Sequence, residues 1–483
     1  MPSLTTNLLI VGGGINGLSL ARTAAANDID CILLDKGDFC SGTSNASSKL
    51  VHGGLRYLEH YDFKLVQEAV LERKLLLENA PNHVKEQRFF YPNCEQAQHG
   101  RFATKIGISL YEILAGASSL KPHQWVESKK LRRQEPEFLP DDQLGTYEYS
   151  DCSMDDAALA LSTMVDASDL GAQFHNFQKV ISIKKVDNIW QVKTRAKHPD
   201  LEDLTIEAKE ISLNLGPWTD YCLKEWGFSY PQLVLLSQGT HLFVEKLPIE
   251  TSFILPVPHS ERYFFVLPFK EGHLIGTTET PVTLNQLHPP VCQPQENEEL
   301  TSLMSLYFPN LCIKTINTIT GVRPLAIESP LKQKVNPHLS IKTSRQHLFH
   351  TIKPGLHAGV GGKWTTHRIY AIEFLEKMGY QIQNNLSGRH YPIPYSQSSD
   401  EFSIEDQVQL SIEKEYCLTP LSFIRQRTGL FFTSHGGLKF YQTISEVFKS
   451  HFPKSDEEQW KTEYLTYLKR NNHRIYPKAK EIL

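Results

Sequence analysis

The chain has 483 residues, of which 40% are apolar and 22% charged, and a formal net charge of -4 at neutral pH. This is an ordinary globular composition with core for about three domains, and its slight acidity argues against a dedicated nucleic-acid binder. No apolar run approaches the roughly 20 residues that a membrane-spanning helix needs, so any membrane contact is expected to be peripheral.

The first apolar run has no basic region before it and reads as a strand, not as a secretory leader. Residues 7–35, NLLIVGGGINGLSLARTAAANDIDCILLD, form the unit around which the rest is organised. Asn7–Val11 has strand length, Asn16–Ala26 reads as a helix, and Cys31–Leu34 is a second strand that ends on Asp35. Gly12, Gly14 and Gly17 satisfy the G-x-G-x-x-G spacing between the first strand and the helix. The first glycine allows a tight turn, the second lets a pyrophosphate approach the backbone, and the third lets the helix lie close on the strand. Free N–H groups and the positive dipole end of the helix favour phosphate, and an acid about 20 residues on suits a ribose hydroxyl. The unit therefore predicts a dinucleotide, without saying which one.

Thr43–Gly54, TSNASSKLVHGG, is small, hydroxylated and glycine-rich, as suits a loop against a flat polar ligand. Asp62 opens a helical pattern with Val66, Val70, Arg73 and Leu77 on one face. Lys121–Arg133 is basic and carries Trp125. A further helix starts within Tyr149–Ala160, with Asp155 and Asp156 suited to its first turn. Strands are expected at Lys179–Lys184, Trp190–Thr194, Glu210–Asn214, Leu233–Leu236, His241–Val244, Tyr263–Leu267, His273–Thr278 and His347–Ile352. Leu284–Leu300 reads as a polar linker, Arg389–Asp400 as a second one, and 402–483 as a helical C-terminal module.

Eight cysteines, at 31, 40, 94, 152, 222, 292, 312 and 417, form no C-x-x-C and no Cys/His cluster of zinc spacing. This points to reduced thiols and to no metal. There is no G-x-S-x-G elbow and no P-loop. What recurs is an isolated cation in a glycine- or proline-marked turn: Arg56 after Gly53-Gly54, Arg323 in Gly321-Val322-Arg323-Pro324, and Lys363 after Gly361-Gly362. Converging, these would make a small anion pocket, since Arg holds phosphate bidentately and Lys adds a point charge. His241, in Gly239-Thr240-His241, is read as the start of a strand and as a group able to take a hydroxyl proton. His52 and Tyr57 carry the same ambiguity between chemistry and packing.

The stretches IVGGGINGLSLA, TSNASSKLVHGGLRYLEHYDFKLVQEA, YEYSDCSMDDAAL, GTHLFV, LIGTTET, TGVRPL and GGKWTTHR resemble the FAD-dependent glycerol-3-phosphate dehydrogenases. These are the respiratory type within the D-amino-acid-oxidase-like flavoproteins. FIRQRTGLFF, at 423–432, resembles that family's cap domain. The resemblance implies an α/β fold: a discontinuous Rossmann-like FAD-binding domain (1–80, 150–232 and 340–380), a mixed β-sheet substrate domain (81–149 and 233–339) and a helical C-terminal domain (395–483). It implies FAD at the glycine motif, held by Gly12, Gly14, Asn16, Gly17 and Asp35. Thr43, Ser44, Ser47, Ser48, Lys49 and Leu50 would run along the ribityl chain and flavin ring. Gly361, Gly362, Lys363 and Thr365 would flank the ring, with His52, Val180 and Gly216 also at the cofactor.

The resemblance further implies oxidation of sn-glycerol 3-phosphate to dihydroxyacetone phosphate, with electrons passing to a ubiquinone-type acceptor. Arg56, Tyr57, Arg323 and Lys363 would hold the substrate, and a hydride would leave its C2 for flavin N5. His241 would be the base, with Arg323 polarising the oxygen. Lys121–Arg133 and the tail Lys469–Lys480 are expected to attach a cytoplasmic protein peripherally to the cytoplasmic membrane, and a homodimer is left open. The chain departs from the family pattern in the short turn Asn214–Trp218, in Glu279 where aspartate is usual, and in a short linker after 380. Two other readings remain: a flavin-dependent amine or 2-hydroxy-acid oxidase of the same fold, and a non-catalytic flavoprotein sensor or scaffold.

Overall fold

In the computed structural model of the chain, residues 3–483 are described apart from 56–57, 59–61, 95–96, 98, 119, 140–144, 285–288, 329–345, 400 and 473. Two sheets organise them. The first has eight strands. Its centre is parallel: Thr205–Leu213 beside Ser3–Val11, then Cys31–Leu34, then Gln173–His175. Leu8–Ile10 and Ile32–Leu34 are almost wholly buried, as parallel strands covered on both faces must be. The hairpin His347–Lys353/Leu356–Gly361 adds to one side, and the hairpin Gln178–Val186/Ile189–Ala196 pairs with Thr205–Leu213. Helices Ile15–Ala25, Asp156–Asp169 and His367–Lys377 cover one face through Leu18, Ala21, Leu161, Met164, Ala371 and Phe374.

The second sheet has ten strands and is antiparallel except where Ser252–Pro256 meets Val84–Asn93. Its long central pair is Val234–Glu245 against Thr315–Ala326, with Ser237 opposite Arg323, Gly239 opposite Gly321 and His241 opposite Ile319. Leu50–Val51 joins this sheet, not the first. The C-terminal helices Ile404–Glu415, Tyr441–His451, Glu457–Asn471 and Tyr476–Ile482 share one hydrophobic cluster with sheet residues Phe243, Leu274, Ile316 and Ile319.

Local signals explain several boundaries. Asp62 and Asp155 are the N-caps of helices Phe63–Asn79 and Asp156–Asp169, accepting from the Leu65 and Ala158 amides at 3.2 Å each, as capping carboxylates do. Three expectations are corrected. Leu233–Leu236 and His241–Val244 belong to one strand, Val234–Glu245. Arg323 is not in a turn but near the end of the twelve-residue strand Thr315–Ala326. The glycine opposite that end has a packing cause: a Cβ on Gly239 would lie 2.2 Å from Arg323 Nη2. Glycine inside a strand marks such a close approach as readily as a stop. The supposed linker 284–300 ends in helix Pro294–Tyr307, opened by a Gln293/Glu296 capping box and a proline in its first turn, two start signals read there as loop chemistry.

The C-terminal helices are tied to the first sheet by buried charge. Arg427, fully buried, donates through both terminal nitrogens to Asp38 and to the Glu415 carbonyl at 2.7 Å. Asp38 also accepts from Asn176 Nδ2 at 3.1 Å. Removing one partner of such a pair strands the other in a medium of low polarity. Arg427→Met is therefore expected to lower the unfolding free energy by about 3–5 kcal/mol, read as a lower urea midpoint. Asp38→Asn combined with Arg427→Met should cost less than the two separate losses summed, and an unchanged midpoint for Arg427→Met would refute the account.

Candidate functional site

The strand Ser3–Val11 runs into Gly12 at φ +112°, a conformation open to glycine. A Cβ there would lie 2.3 Å from the Asn214 carbonyl oxygen, and one on Gly17 would lie 1.9 Å from that of Gly12. These contacts bring helix Ile15–Ala25 hard against the turn, with Gly14 as an N-cap that has no side-chain bond. Asp35 accepts from the Gly13 amide at 2.6 Å and the Gly37 amide at 2.8 Å. Burial pushes its carboxyl up to about 6, against the pull of those two amides. Ser44 Oγ accepts from the Ile15 amide at 2.9 Å, so the hydroxylated loop itself caps part of the helix start. Asn16 Nδ2 donates to the Gly361 carbonyl at 3.3 Å, joining two candidate cofactor segments distant in the chain.

A single cavity of about 910 Å³ runs from this turn to the second sheet. Its walls include Gly12, Gly14, Asn16, Asp35, Thr43, Ser44, Ser47, Ser48, Leu50, His52, Val180, Gly216, Gly361, Gly362, Lys363 and Thr365. At one end Lys36 Nζ lies 3.9 Å above the Trp218 ring. The short turn Asn214–Trp218 still lines the cavity, and its Asn214 Oδ1 accepts from Tyr370 Oη at 2.6 Å. Thr43 Oγ1 donates to the Val322 carbonyl at 2.7 Å and Trp364 Nε1 to that of Ser44 at 3.0 Å, so the loop is held from both sides.

Gly17 acts through packing and does not form the wall. Lys49 does not form it either, contrary to expectation. Its ammonium is buried on Asp156 Oδ1 at 2.5 Å and on the Asn45 carbonyl at 3.1 Å, while Ser47 Oγ donates to the other Asp156 oxygen at 2.6 Å. A buried carboxylate at the start of a helix needs a cation, and Lys49 supplies it from beneath the loop.

The substrate candidates lie where the cavity meets the second sheet. Arg323, Lys363 and His241 all line it. Arg323 Nη2 donates to Thr277 Oγ1 at 2.8 Å and to the Thr278 carbonyl at 3.4 Å. His241 Nε2 and Ser48 Oγ are 2.9 Å apart. The imidazole lies so close to Gly276 that a Cβ there would be 2.6 Å from His241 Cδ2. Burial first, then the Arg323 guanidinium and the Lys49 ammonium, lower its pKa to about 3, so the ring is neutral at cellular pH. Arg56 and Tyr57 lie outside the described residues. Sequence reasoning missed that the C-terminal region completes the wall, with Arg425, Phe431, Phe432, Tyr467 and Arg470. Arg425 Cζ lies 4.4 Å over the Tyr467 ring. It missed Glu296 as well, which lies behind the turn that holds Arg323.

These walls fit a flavin dinucleotide. The cavity is at the large end of the range for small-ligand sites, the glycine cradle leaves backbone amides at one end, and the other end is lined by hydroxyls, glycines and a neutral imidazole.

A family model described as FAD dependent oxidoreductase matches residues 7–368. The chain is 33% identical over 383 residues to the D-erythritol 1-phosphate dehydrogenase of Brucella abortus, covering 77% of this chain and 74% of that protein. It is 27% identical over 426 residues to the aerobic glycerol-3-phosphate dehydrogenase of Staphylococcus haemolyticus, covering 84% and 74%. Its fold is like that of the glycerol-3-phosphate dehydrogenase from Bacillus halodurans complexed with FAD, with a TM-score of 0.76 over 96% of this chain and 95% of that one at 21% identity. The chain belongs to the FAD dependent oxidoreductase family, with FAD as its cofactor.

Proposed function

We propose that the protein oxidises sn-glycerol 3-phosphate to dihydroxyacetone phosphate with FAD as hydride acceptor, and that the electrons leave to a membrane quinone. The observation that carries this reading is that Arg323, Lys363 and a neutral His241 line one cavity with the dinucleotide cradle. When bound, FAD supplies the two-electron acceptor that no side chain can provide. The chain's own groups do the rest. Arg323 and Lys363 hold the phosphate, with Arg56 and Tyr57 as further candidates from the motif. His241 takes the C2 hydroxyl proton at Nε2, directly or through Ser48 Oγ, which already sits at 2.9 Å.

His241 is neutral and so ready to accept a proton at cellular pH, and of the two cations that depress it Arg323 lines the cavity, where a phosphate dianion would offset it. A four-carbon polyol phosphate is the second reading, favoured by the 33% identity to the D-erythritol 1-phosphate dehydrogenase.

The quinone reading calls for a lipid-facing surface. Among the described residues no helix is long and apolar enough to cross a membrane. Helix Arg101–Ala115, however, is apolar on two sides. Thr104, Ile108, Tyr111 and Ala115 face inward, while Phe102 (76% exposed), Ile106 (53%) and Ile113 (73%) share the opposite side. Exposed apolar residues clustered on one side of a helix mark an interaction site. The basic stretch Lys121–Arg133 is held beside it, by Arg101 Cζ at 3.9 Å over Trp125 and by the Glu112 carboxylate on His123 at 2.8 Å. Lys121, Lys129, Lys130, Arg132 and Arg133 are exposed. An apolar face bordered by cations matches an anionic bilayer surface. This favours the first of the two expected segments over the tail Lys469–Lys480, where Arg470 lines the cavity instead.

Anaerobic addition of sn-glycerol 3-phosphate to the holoprotein is expected to bleach the flavin faster than D-erythritol 1-phosphate, glycine or 2-hydroxyglutarate does; bleaching only by the four-carbon phosphate selects the second reading. His241→Asn should slow flavin reduction by about 10²–10⁴-fold with little change in substrate affinity, and an unchanged stopped-flow rate would exclude it as the base. Phe102→Asp with Ile113→Asp should abolish flotation with anionic vesicles while leaving anaerobic flavin reduction intact. Retained flotation would remove the helix from the lipid contact.

A further inference from the structure

Glu296 is a carboxylate that the proposed chemistry does not use, and it is 3% exposed. Its local duty is the capping box, in which Oε2 accepts from the Gln293 amide at 2.9 Å. A glutamine would serve that duty as well. The remaining bonds run into the second sheet. Oε2 also accepts from Gln238 Nε2 at 2.8 Å and Thr240 Oγ1 at 2.9 Å. Oε1 accepts from Thr278 Oγ1 at 2.7 Å and Thr280 Oγ1 at 3.4 Å. All five donors are neutral, and burying a carboxylate among neutral donors is costly. The capping box explains only one of them.

Thr278 is the shared member. Its hydroxyl donates to Glu296 and accepts from the Thr240 amide at 2.9 Å, its own amide donates to the Thr240 carbonyl at 3.2 Å, and its carbonyl accepts from Arg323 at 3.4 Å. The neighbouring Thr277 hydroxyl accepts from the same Arg323 nitrogen at 2.8 Å. Thus the turn after strand Gly272–Gly276 is gripped from one side by Glu296 and holds the guanidinium on the other. The adjacent Gly239 makes room for the fork, since a Cβ there would lie 2.2 Å from Arg323 Nη2.

We propose that Glu296 is a positioning residue for the anion site: through Thr278 it fixes the turn that aims Arg323. This rests on the reading that Arg323 holds the anionic group of the substrate. A planar fork recognises phosphate bidentately only when its orientation is set in advance, and a satisfied carboxylate behind the turn sets it.

Inorganic phosphate, titrated into the oxidised holoprotein and followed by the flavin spectrum, probes the anion site without assuming the organic substrate. Glu296→Gln is expected to weaken phosphate binding about tenfold, a loss of about 1.4 kcal/mol, with FAD content and far-ultraviolet circular dichroism unchanged. In an Arg323→Met background the same substitution should have little effect, which a merely structural role would not produce. Should Glu296→Gln fail to fold, Thr278 decides: Thr278→Val should lose affinity as Glu296→Gln would, and Thr278→Ser should keep it. Wild-type affinity in Glu296→Gln or Thr278→Val, an equal loss in the Arg323→Met background, or a wild type indifferent to phosphate overturns the proposal. A wild type that binds phosphate through Arg323 but is not bleached by glycerol phosphate sinks the substrate reading and leaves the role of Glu296 standing.

Discussion

The buried pair of Lys49 and Asp156 fixes the loop on which every part of the site converges. Both side chains are withdrawn from solvent, at 2.5 Å. Neither charge is tolerable there alone, because a buried ion without its partner costs several kcal/mol. To reach Asp156, Lys49 takes a left-handed backbone conformation, φ +58°, which for a residue with a Cβ costs of order 1 kcal/mol. The pair offsets that strain and holds 43–52 in one shape. From this anchored loop Ser44 reaches the start of the first helix, Thr43 the carbonyl before Arg323, and Ser48 the imidazole of His241. Cofactor cradle, candidate anion-binding strand and candidate base are thus referred to one buried charge pair.

The same device recurs at the other joints. Asp166 on the helix Asp156–Asp169 binds buried Arg22 at 2.5 Å and the exposed Arg389 at 2.6 Å, tying the first helix to the chain leaving the first sheet. Arg73 donates to Asp151 at 2.8 Å and to Tyr111 at 2.9 Å behind the Gly53 turn. Arg427 binds Asp38 beneath the cofactor loop. Apolar contacts tolerate sliding, whereas a buried fork and a carboxylate lose most of their interaction with a small displacement. Placed between elements distant in the chain, such pairs specify how the sheets and the C-terminal helices meet. That is why the C-terminal region can supply cavity wall with Arg425, Phe431 and Tyr467 and is more than an appendage.

What the sequence made legible was what local sterics dictate. Gly12 and Gly17 are glycines because a Cβ would strike a carbonyl oxygen, and the spacing already said so. Asp62 and Asp155 mark helix starts because their side chains satisfy amides three residues on. The misreadings share another cause: the reason for a residue lay across the fold. Gly239, Gly321 and Pro324 read as turn signals, yet the strand continues through them; one glycine makes room for the Arg323 guanidinium and another for Ala46. Lys49 lies in a hydroxyl-rich loop and so suggested a ligand, while its partner is 107 positions away. Glu296 sat in a stretch rich in proline and glutamine that read as linker, and nothing within ten residues announces its bonds to Thr240 and Thr278. Composition and periodicity cannot report such pairings, because neither carries information about long-range contact.

The site contains a tension between holding an anion and keeping a basic imidazole. Burial depresses His241 most, and Arg323, the proposed anion holder, lies close enough to depress it further. A ring held this far below its ordinary basicity is a poor proton acceptor on its own. Were Arg323 moved away to restore it, the proposed anion would lose that hold; were the ring exposed, water would reach it. On the proposed reading, the dianionic end of a polyol phosphate would offset the Arg323 share of that depression from within the cavity, while the larger share, burial, would remain. On this account binding and proton transfer are coupled through charge and not through motion. On that reading the substrate's phosphate would assist proton transfer as well as binding, and an uncharged polyol of the same length would leave the Arg323 contribution to the depression in place.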